Sequence, residues 1–170
     1  ADELFAVLVD PVLYQYLDEA PPTSAGQLRD KLARSESRKS PDGREHWLNW
    51  VVRDESGQIT GYVQATIKVN HEAHIAYVIG RAFWGRGIAA SAATQMLECL
   101  ERDFGVTHFF INAERKNARS IALARRLGFT EVLPEVHASQ GATATEMVLE
   151  KKRSPLIAAG RPLPARAQSR

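Results

Sequence analysis

Between residues 74 and 104 the chain changes its hydrophobic period across one short loop. "HIAYVIG" (74–80) is an apolar run with β-branched and aromatic residues and reads as a strand. From residue 88 onward, Ile88, Ala92, Met96, Leu100 and Phe104 recur every fourth residue, the stripe of a core-facing helix about 17 residues long. Only "RAFWGRG" (81–87) lies between them, and "VTHFFINAE" (106–114) follows as another strand. A strand, a helix and a strand joined so closely require a right-handed crossover to a parallel neighbour.

The strands before this unit obey a different rule. "HWLNWVVRD" (46–54) and "ITGYVQATIKV" (59–69) are joined by "ESGQ", and "NHEA" leads into the strand at 74–80. Turns this tight make the first three strands antiparallel. Short helices open the chain in "ELFAVLV" (3–9), "DPVLYQYL" (10–17) and "SAGQLRDKLARSES" (24–37), the last with Ser24 as its cap. "NARSIALARRLGF" (117–129) is a helix stopped by Gly128. "FTEV" and "TATEMVLEK" (143–151) close the sheet around a segment near 134–142 expected to be flexible. The expected class is α/β (α+β mixed): a central, mostly antiparallel mixed sheet flanked by helices.

The loop between the two periods also has chemistry. A helix that starts directly after a strand leaves its first N–H groups unpaired, and the summed peptide dipoles place positive charge there. Gly85 and Gly87 let the backbone close round a phosphate, and Arg86 adds a charge-assisted bond. A tight turn that binds nothing is the competing reading. The loop also satisfies G-x-G-x-x-A, with Glu114 as a ribose partner at the end of the next strand. Antiparallel strands before it, and one further helix after it, argue against a dinucleotide fold. The lysine of a nucleoside-triphosphate loop is absent.

Charge and cysteine content exclude some partners. Residues 1–150 carry 16 Lys and Arg against 20 Asp and Glu, a net −4, while residues 151–170 carry six basic side chains and no acidic ones. The body therefore shows no specific nucleic-acid footprint, and the tail reads as a solvated, loosely ordered segment. One domain over 1–152 and a basic tail over 153–170 is the expected division. A lone cysteine, Cys99, forms no internal disulfide and is expected as a buried, inert thiol; with no apolar run of about 18 residues and no basic leader, a cytoplasmic location off the membrane follows. "HEAH" (71–74) lacks the spacing of a zinc helix, so no metal is expected. His46, His108 and His137 read as surface or satisfied core residues, and Trp47 and Trp50 as opposite faces of one strand.

Two blocks together resemble the GCN5-related N-acetyltransferase (GNAT) superfamily, and within it the ribosomal-protein N-acetyltransferase-like branch. "HIAYVIGRAFWGRGIAASA" (74–92) is similar to its strand, loop and helix, and "NAERKNARSIALARRLGF" (112–129) to its N-x-x-S-x-x-L-x-x-x-L-G-F helix. The resemblance covers roughly residues 4–150 and implies an acyl-CoA N-acyltransferase fold with a splayed sheet. It also implies a strand before the opening helix, which this sequence does not contain. Acetyl-coenzyme A would be the donor and a primary amine of a small molecule or a protein N-terminus the acceptor, with direct transfer. The resemblance assigns the pyrophosphate to the loop Trp84, Gly85, Arg86, Gly87, Ile88 and Ala89. It lays the pantetheine along Tyr77, Val78 and Ile79, with Asn117 as its hydrogen-bonding side chain.

Three departures from that pattern stand out, the first being Trp84 where the superfamily's broad pattern has Gln or Arg. Ala124 stands where many members carry a proton-donating tyrosine, so Ser120 or water is the candidate donor. His74 replaces a carboxylate of the branch and is a candidate base, with Glu72 and Glu114 as alternatives. A domain that binds acetyl-CoA as a sensor or scaffold without turnover is the rival reading. A homodimer is compatible with the pattern and not specified by it.

Overall fold

A computed structural model describes residues 1–153; the tail beyond Arg153 lies outside the described residues. The chain opens with α1 (Asp2–Leu8), a 3-10 turn at Pro11–Tyr14 and α2 (Ala25–Arg34). Asp10 accepts from the Val12 N–H to start the turn, and Ser24 accepts from Gln27 to start α2. Strands β1 (His46–Arg53), β2 (Ile59–Ile67) and β3 (Glu72–Ile79) follow, then α3 (Ile88–Phe104), β4 (His108–Glu114) and α4 (Ala118–Arg126). The chain continues through β5 (Thr130–Glu131), α5 (Pro134–His137) and β6 (Glu146–Lys152).

These strands form one sheet in the order β1-β2-β3-β4-β6-β5. Every neighbouring pair is antiparallel except β3 with β4, the pair joined through α3. Both faces of β2, β3, β4 and β6 are largely covered, which is why those strands read as near-continuous apolar runs, whereas β1 buries only Leu48. On one face α3 and α4 pack Met96, Leu97, Leu100, Ile121 and Ala124 onto Ile75, Phe109 and Leu149. On the other, α1 and α2 bring Leu4, Leu8 and Leu28 onto Ile59 and Val78.

The segment near 134–142 is ordered rather than flexible. Pro134 starts α5 at a position where its missing N–H costs nothing, and Val136 and Ala142 pack against Phe110, Val132 and Val148. A four-residue helix has no period for a sequence pattern to reveal.

The sheet opens at its one parallel junction. β3 and β4 pair only over Glu72–His74 and His108–Phe110. Beyond that point β3 stays with β2 as far as Gly61↔Ile79, while β4 stays with β6 as far as Glu114↔Glu146. The two halves separate into a V with His74 and Phe110 at its apex.

Register decides which backbone groups line the V. The Gly80 N–H bonds the Thr60 carbonyl and the Lys68 N–H bonds the Glu72 carbonyl, so even-numbered residues of β3 ladder with β2. The N–H and C=O groups of Tyr77 and Ile79 consequently face the gap.

Close approach of β2 and β3 rests on Gly61. A Cβ there would lie 2.0 Å from the Val78 carbonyl oxygen and 2.9 Å from Ile79 Cα, both backbone atoms. Gly61→Ala is expected to cost about 3 kcal/mol, near the upper end for overpacking. Thermal unfolding should show this as a fall of roughly 6–12 °C in Tm.

Candidate active site

The loop glycines are required by conformation rather than by space. Gly85 and Gly87 both have φ near 77°, yet nothing lies within 4 Å of where a Cβ would sit. That left-handed backbone aims the chain straight into α3, with Gly87 as the N-cap.

No side chain caps this helix, and its first turn holds no acidic residue. The first helical bond runs from Ser91 N–H to Gly87 carbonyl, leaving the N–H groups of Ile88, Ala89 and Ala90 without an intrahelical acceptor. By contrast, α2 and α4 are capped by Ser24 and Asn117. The α3 terminus is thus an unneutralised positive end, suited to an anion. The Arg86 side chain turns away from it. Its guanidinium lies 5.6 Å from the Phe83 ring centroid and 3.7 Å from Asp54 Oδ2, so Arg86 offers this seat its backbone and not the charge expected from sequence.

Two latches cross the V on the α4 side. The Tyr77 hydroxyl donates to the Ser120 carbonyl at 3.0 Å and lies 3.1 Å from Ser120 Oγ. The Trp84 indole N–H donates to the Ile79 carbonyl at 2.6 Å, and the Arg119 guanidinium sits 4.5 Å over the Trp84 ring. Burial pushes the Tyr77 phenol above its usual 10.0, against the opposing effect of Ser120 and Arg126. It stays protonated at neutral pH. Asn117 caps α4 with Oδ1 toward Ser120 N–H, which leaves its Nδ2 group free to donate elsewhere. Val78 does not line the gap: its backbone ladders with Tyr62, and its side chain belongs to the α1 core.

His74 stands at the apex. Its ring stacks on Phe110 at 5.5 Å, and Nε2 lies 3.0 Å from Gln140 Oε1. Burial lowers its pKa below 6.5, helped by Lys68 and opposed by Gln140, Glu72 and Glu45. The imidazole is therefore neutral at neutral pH and able to accept a proton.

The other acid–base candidates are engaged elsewhere. Glu72 lies 3.9 Å from His108 Nδ1, whose other nitrogen is 2.7 Å from Glu150. Glu114, at the far end of β4, accepts from Thr145 Oγ1 at 2.7 Å. Ala124 is fully buried in the core. His46 stacks edge-on against Phe104.

Sequence reasoning missed two residues of the apex. Asn112 Nδ2 donates to the Gln140 carbonyl at 3.1 Å, while Asn112 Oδ1 is sealed without a partner. His137 Nε2 is likewise sealed and unpaired, which corrects its reading as a surface or satisfied residue. An asparagine inside the apolar run "HFFINAE" was the available signal; Gln140 gave none.

Two of the cavities among the described residues flank the sheet. One of about 590 Å³ lies between α1, α2 and the sheet, where Tyr14, Glu19, Lys31, Asn49, Tyr62 and Gln64 face it. Burial pushes the Tyr14 phenol up to about 12. The other, about 1000 Å³, runs along α3 beside Trp50, Val52, Met96 and Cys99. Cys99 is half-buried there rather than enclosed. Burial and Asp103, whose Oδ2 is 3.4 Å from the thiol, raise its pKa and keep it unreactive.

Comparison with known proteins gives the class of enzyme, an acyltransferase, and the family. A family model described as an acetyltransferase (GNAT) domain matches residues 1–130. The uncharacterized N-acetyltransferase p20 of Bacillus licheniformis is 28% identical over 136 residues, 76% of this chain and 72% of the relative. A solved RimL, a ribosomal L7/L12 alpha-N-protein acetyltransferase in complex with coenzyme A, has 21% identity and a TM-score of 0.71; the match covers 89% of this chain and 90% of that one. Ribosomal-protein-alanine N-acetyltransferase from Brucella melitensis has 22% identity and a TM-score of 0.63, covering 88% and 92%. At these identities the two structures speak for the fold. The chain belongs to the GNAT acetyltransferase family. No helix among the described residues is long and apolar enough to cross a membrane.

Proposed function

We propose that this protein transfers the acetyl group of acetyl-coenzyme A directly to the primary amine of a small molecule or a protein N-terminus. The observation that carries the reading is the uncapped start of α3 beside a V faced by the backbone of Tyr77 and the N–H of Ile79, the Ile79 carbonyl being held by Trp84. The N–H groups of Ile88 and Ala89 hold the pyrophosphate. Tyr77 and Ile79 present a strand-like ladder to the pantetheine, and Asn117 Nδ2 donates to it. An N–H of β3 polarises the thioester oxygen as negative charge develops there, a role worth about 2.7–4 kcal/mol per donor in enzymes of this kind of chemistry.

The acceptor must lose a proton before it can attack, because an ammonium has no lone pair. His74 takes that proton. The amine nitrogen bonds to the thioester carbon, the carbon–sulfur bond breaks, and the thiolate leaves. The nitrogen sheds its second proton as the amide forms, and Ser120, joined to the Tyr77 hydroxyl, or a water molecule relays a proton to the sulfur, so that one proton ends on His74 and one on the thiol. The cavity between α1, α2 and the sheet opens on the same face as His74, since Gln64 and Thr66 carry Ala76 and His74 as their register partners. That face supplies the route for the acceptor.

The test is thermal unfolding with acetyl-CoA, coenzyme A and NAD, followed by thiol release with an amine panel. At about 100 times its dissociation constant a ligand adds about 2.7 kcal/mol, a rise of roughly 5–11 °C in Tm. Both coenzyme A species should produce it and NAD should not. Gly87→Ala, which strains the left-handed start of α3 by about 1–2 kcal/mol, should cut the rise by about a third to two thirds where that strain falls on the bound form. A shift without thiol release from any amine would favour a non-catalytic acetyl-CoA sensor; a shift with NAD alone would overturn the reading.

A further inference from the structure

The turn that follows α5 is fastened over the apex of the V from both sides. The Gln140 side chain meets His74 of β3 at 3.0 Å, and the Gln140 carbonyl accepts from Asn112 of β4 at 3.1 Å. One residue therefore touches the last paired region of one half of the sheet and the first diverging region of the other. Phe110 stacks on a face of the imidazole. The ring is held in its plane by an aromatic face and by one nitrogen.

The chemistry of that nitrogen is set by its partner. A glutamine Oε1 only accepts, so His74 Nε2 carries the proton and the lone pair sits on Nδ1. Nδ1 has no hydrogen-bond partner among the described residues and is not among the sealed polar atoms. The geometry points to Gln140 as a positioning residue that fixes the tautomer and orientation of His74, leaving Nδ1 as the proton-accepting atom. This inference rests on the acetyl-transfer reading for its purpose, while its physical content concerns two side chains alone. The charged groups around the imidazole are Lys68 at the end of β2, Glu72 on β3 and Glu45 ahead of β1. None of these supplies a hydrogen bond to the ring, so Gln140 alone sets its tautomer.

The experiment is imidazole nitrogen NMR on the full chain without ligand, with His74→Ala assigning the His74 signals. Above its titration, His74 should be in the Nε2–H form. Gln140→Glu keeps the shape and the acceptor but adds a negative charge, so the His74 titration should move up by about one unit, a tenfold change in proton affinity. Gln140→Leu removes the acceptor, so the titration should move down and the single tautomer should give way to a mixture. Far-UV circular dichroism and Tm check that both variants fold. An Nδ1–H tautomer in the unmodified chain overturns the inference, as does a His74 titration that ignores Gln140→Glu. Failure of the acetyl-transfer reading would appear separately, as no change of Tm with acetyl-CoA while the His74 titration behaves as described.

Discussion

His74→Ala is expected to lower turnover of acetyl-CoA with an amine by about 10²- to 10⁴-fold, the usual contribution of a positioned general base. The acetyl-CoA-dependent rise in Tm should survive, because the α3 terminus and the backbone of Tyr77 and Ile79 do not depend on that ring. Steady-state rates and thermal unfolding of the same variant separate the two effects. An unchanged rate would move the proton transfer to water.

The pH dependence has a definite sign. Burial lowers the His74 pKa below 6.5, and the proposed role as base needs the neutral form. Activity should be flat above about pH 6.5 and fall as pH drops through the folded-state value. Stability follows the same direction. Between that value and 6.5 the unfolded chain binds more protons than the folded one, so His74 contributes stability that is present above 6.5 and lost on acidification. His74→Ala should remove both slopes.

The largest effect on folding is expected at Phe109. Its side chain is fully buried between the sheet and the α3–α4 layer, beside the point where β3 and β4 part. Phe109→Ala removes that contact area and leaves a cavity that rigid neighbours cannot fill, a loss of about 3–5 kcal/mol. A fall of roughly 6–20 °C in Tm should follow. Leu133→Ala is the control: that side chain is 72% exposed, and its loss should stay within about 0.5 kcal/mol.

Much of this architecture was legible in sequence because it is local. The fourfold stripe from Ile88 to Phe104 is α3 to the residue, and Gly128, at φ 88°, ends α4 in the left-handed conformation that glycine allows. Turn lengths gave the antiparallel strands, and the long connection gave the parallel pair. What escaped is long-range or depends on register. Val78 looked equivalent to Tyr77 and Ile79 until the ladder with β2 fixed which parity faces the V. Arg86 finds Asp54, and His74 finds Gln140, across 32 and 66 positions of chain that no short pattern connects.

Parting β3 from β4 gives a six-stranded sheet four edges instead of two. Near its centre the Tyr77 and Ile79 amides lack the neighbour strand that protects a central ladder, while the Val78 amide between them keeps its bond to β2. Hydrogen exchange along β3 should therefore alternate, fast at 77 and 79 and slow at 78, a pattern otherwise found at the rim of a sheet. Occupying the V with a strand-like ligand would erase the alternation. The molecule thus carries strand edges inside its sheet, with the Trp84–Arg119 stack and the Trp84 bond to the Ile79 carbonyl beside them.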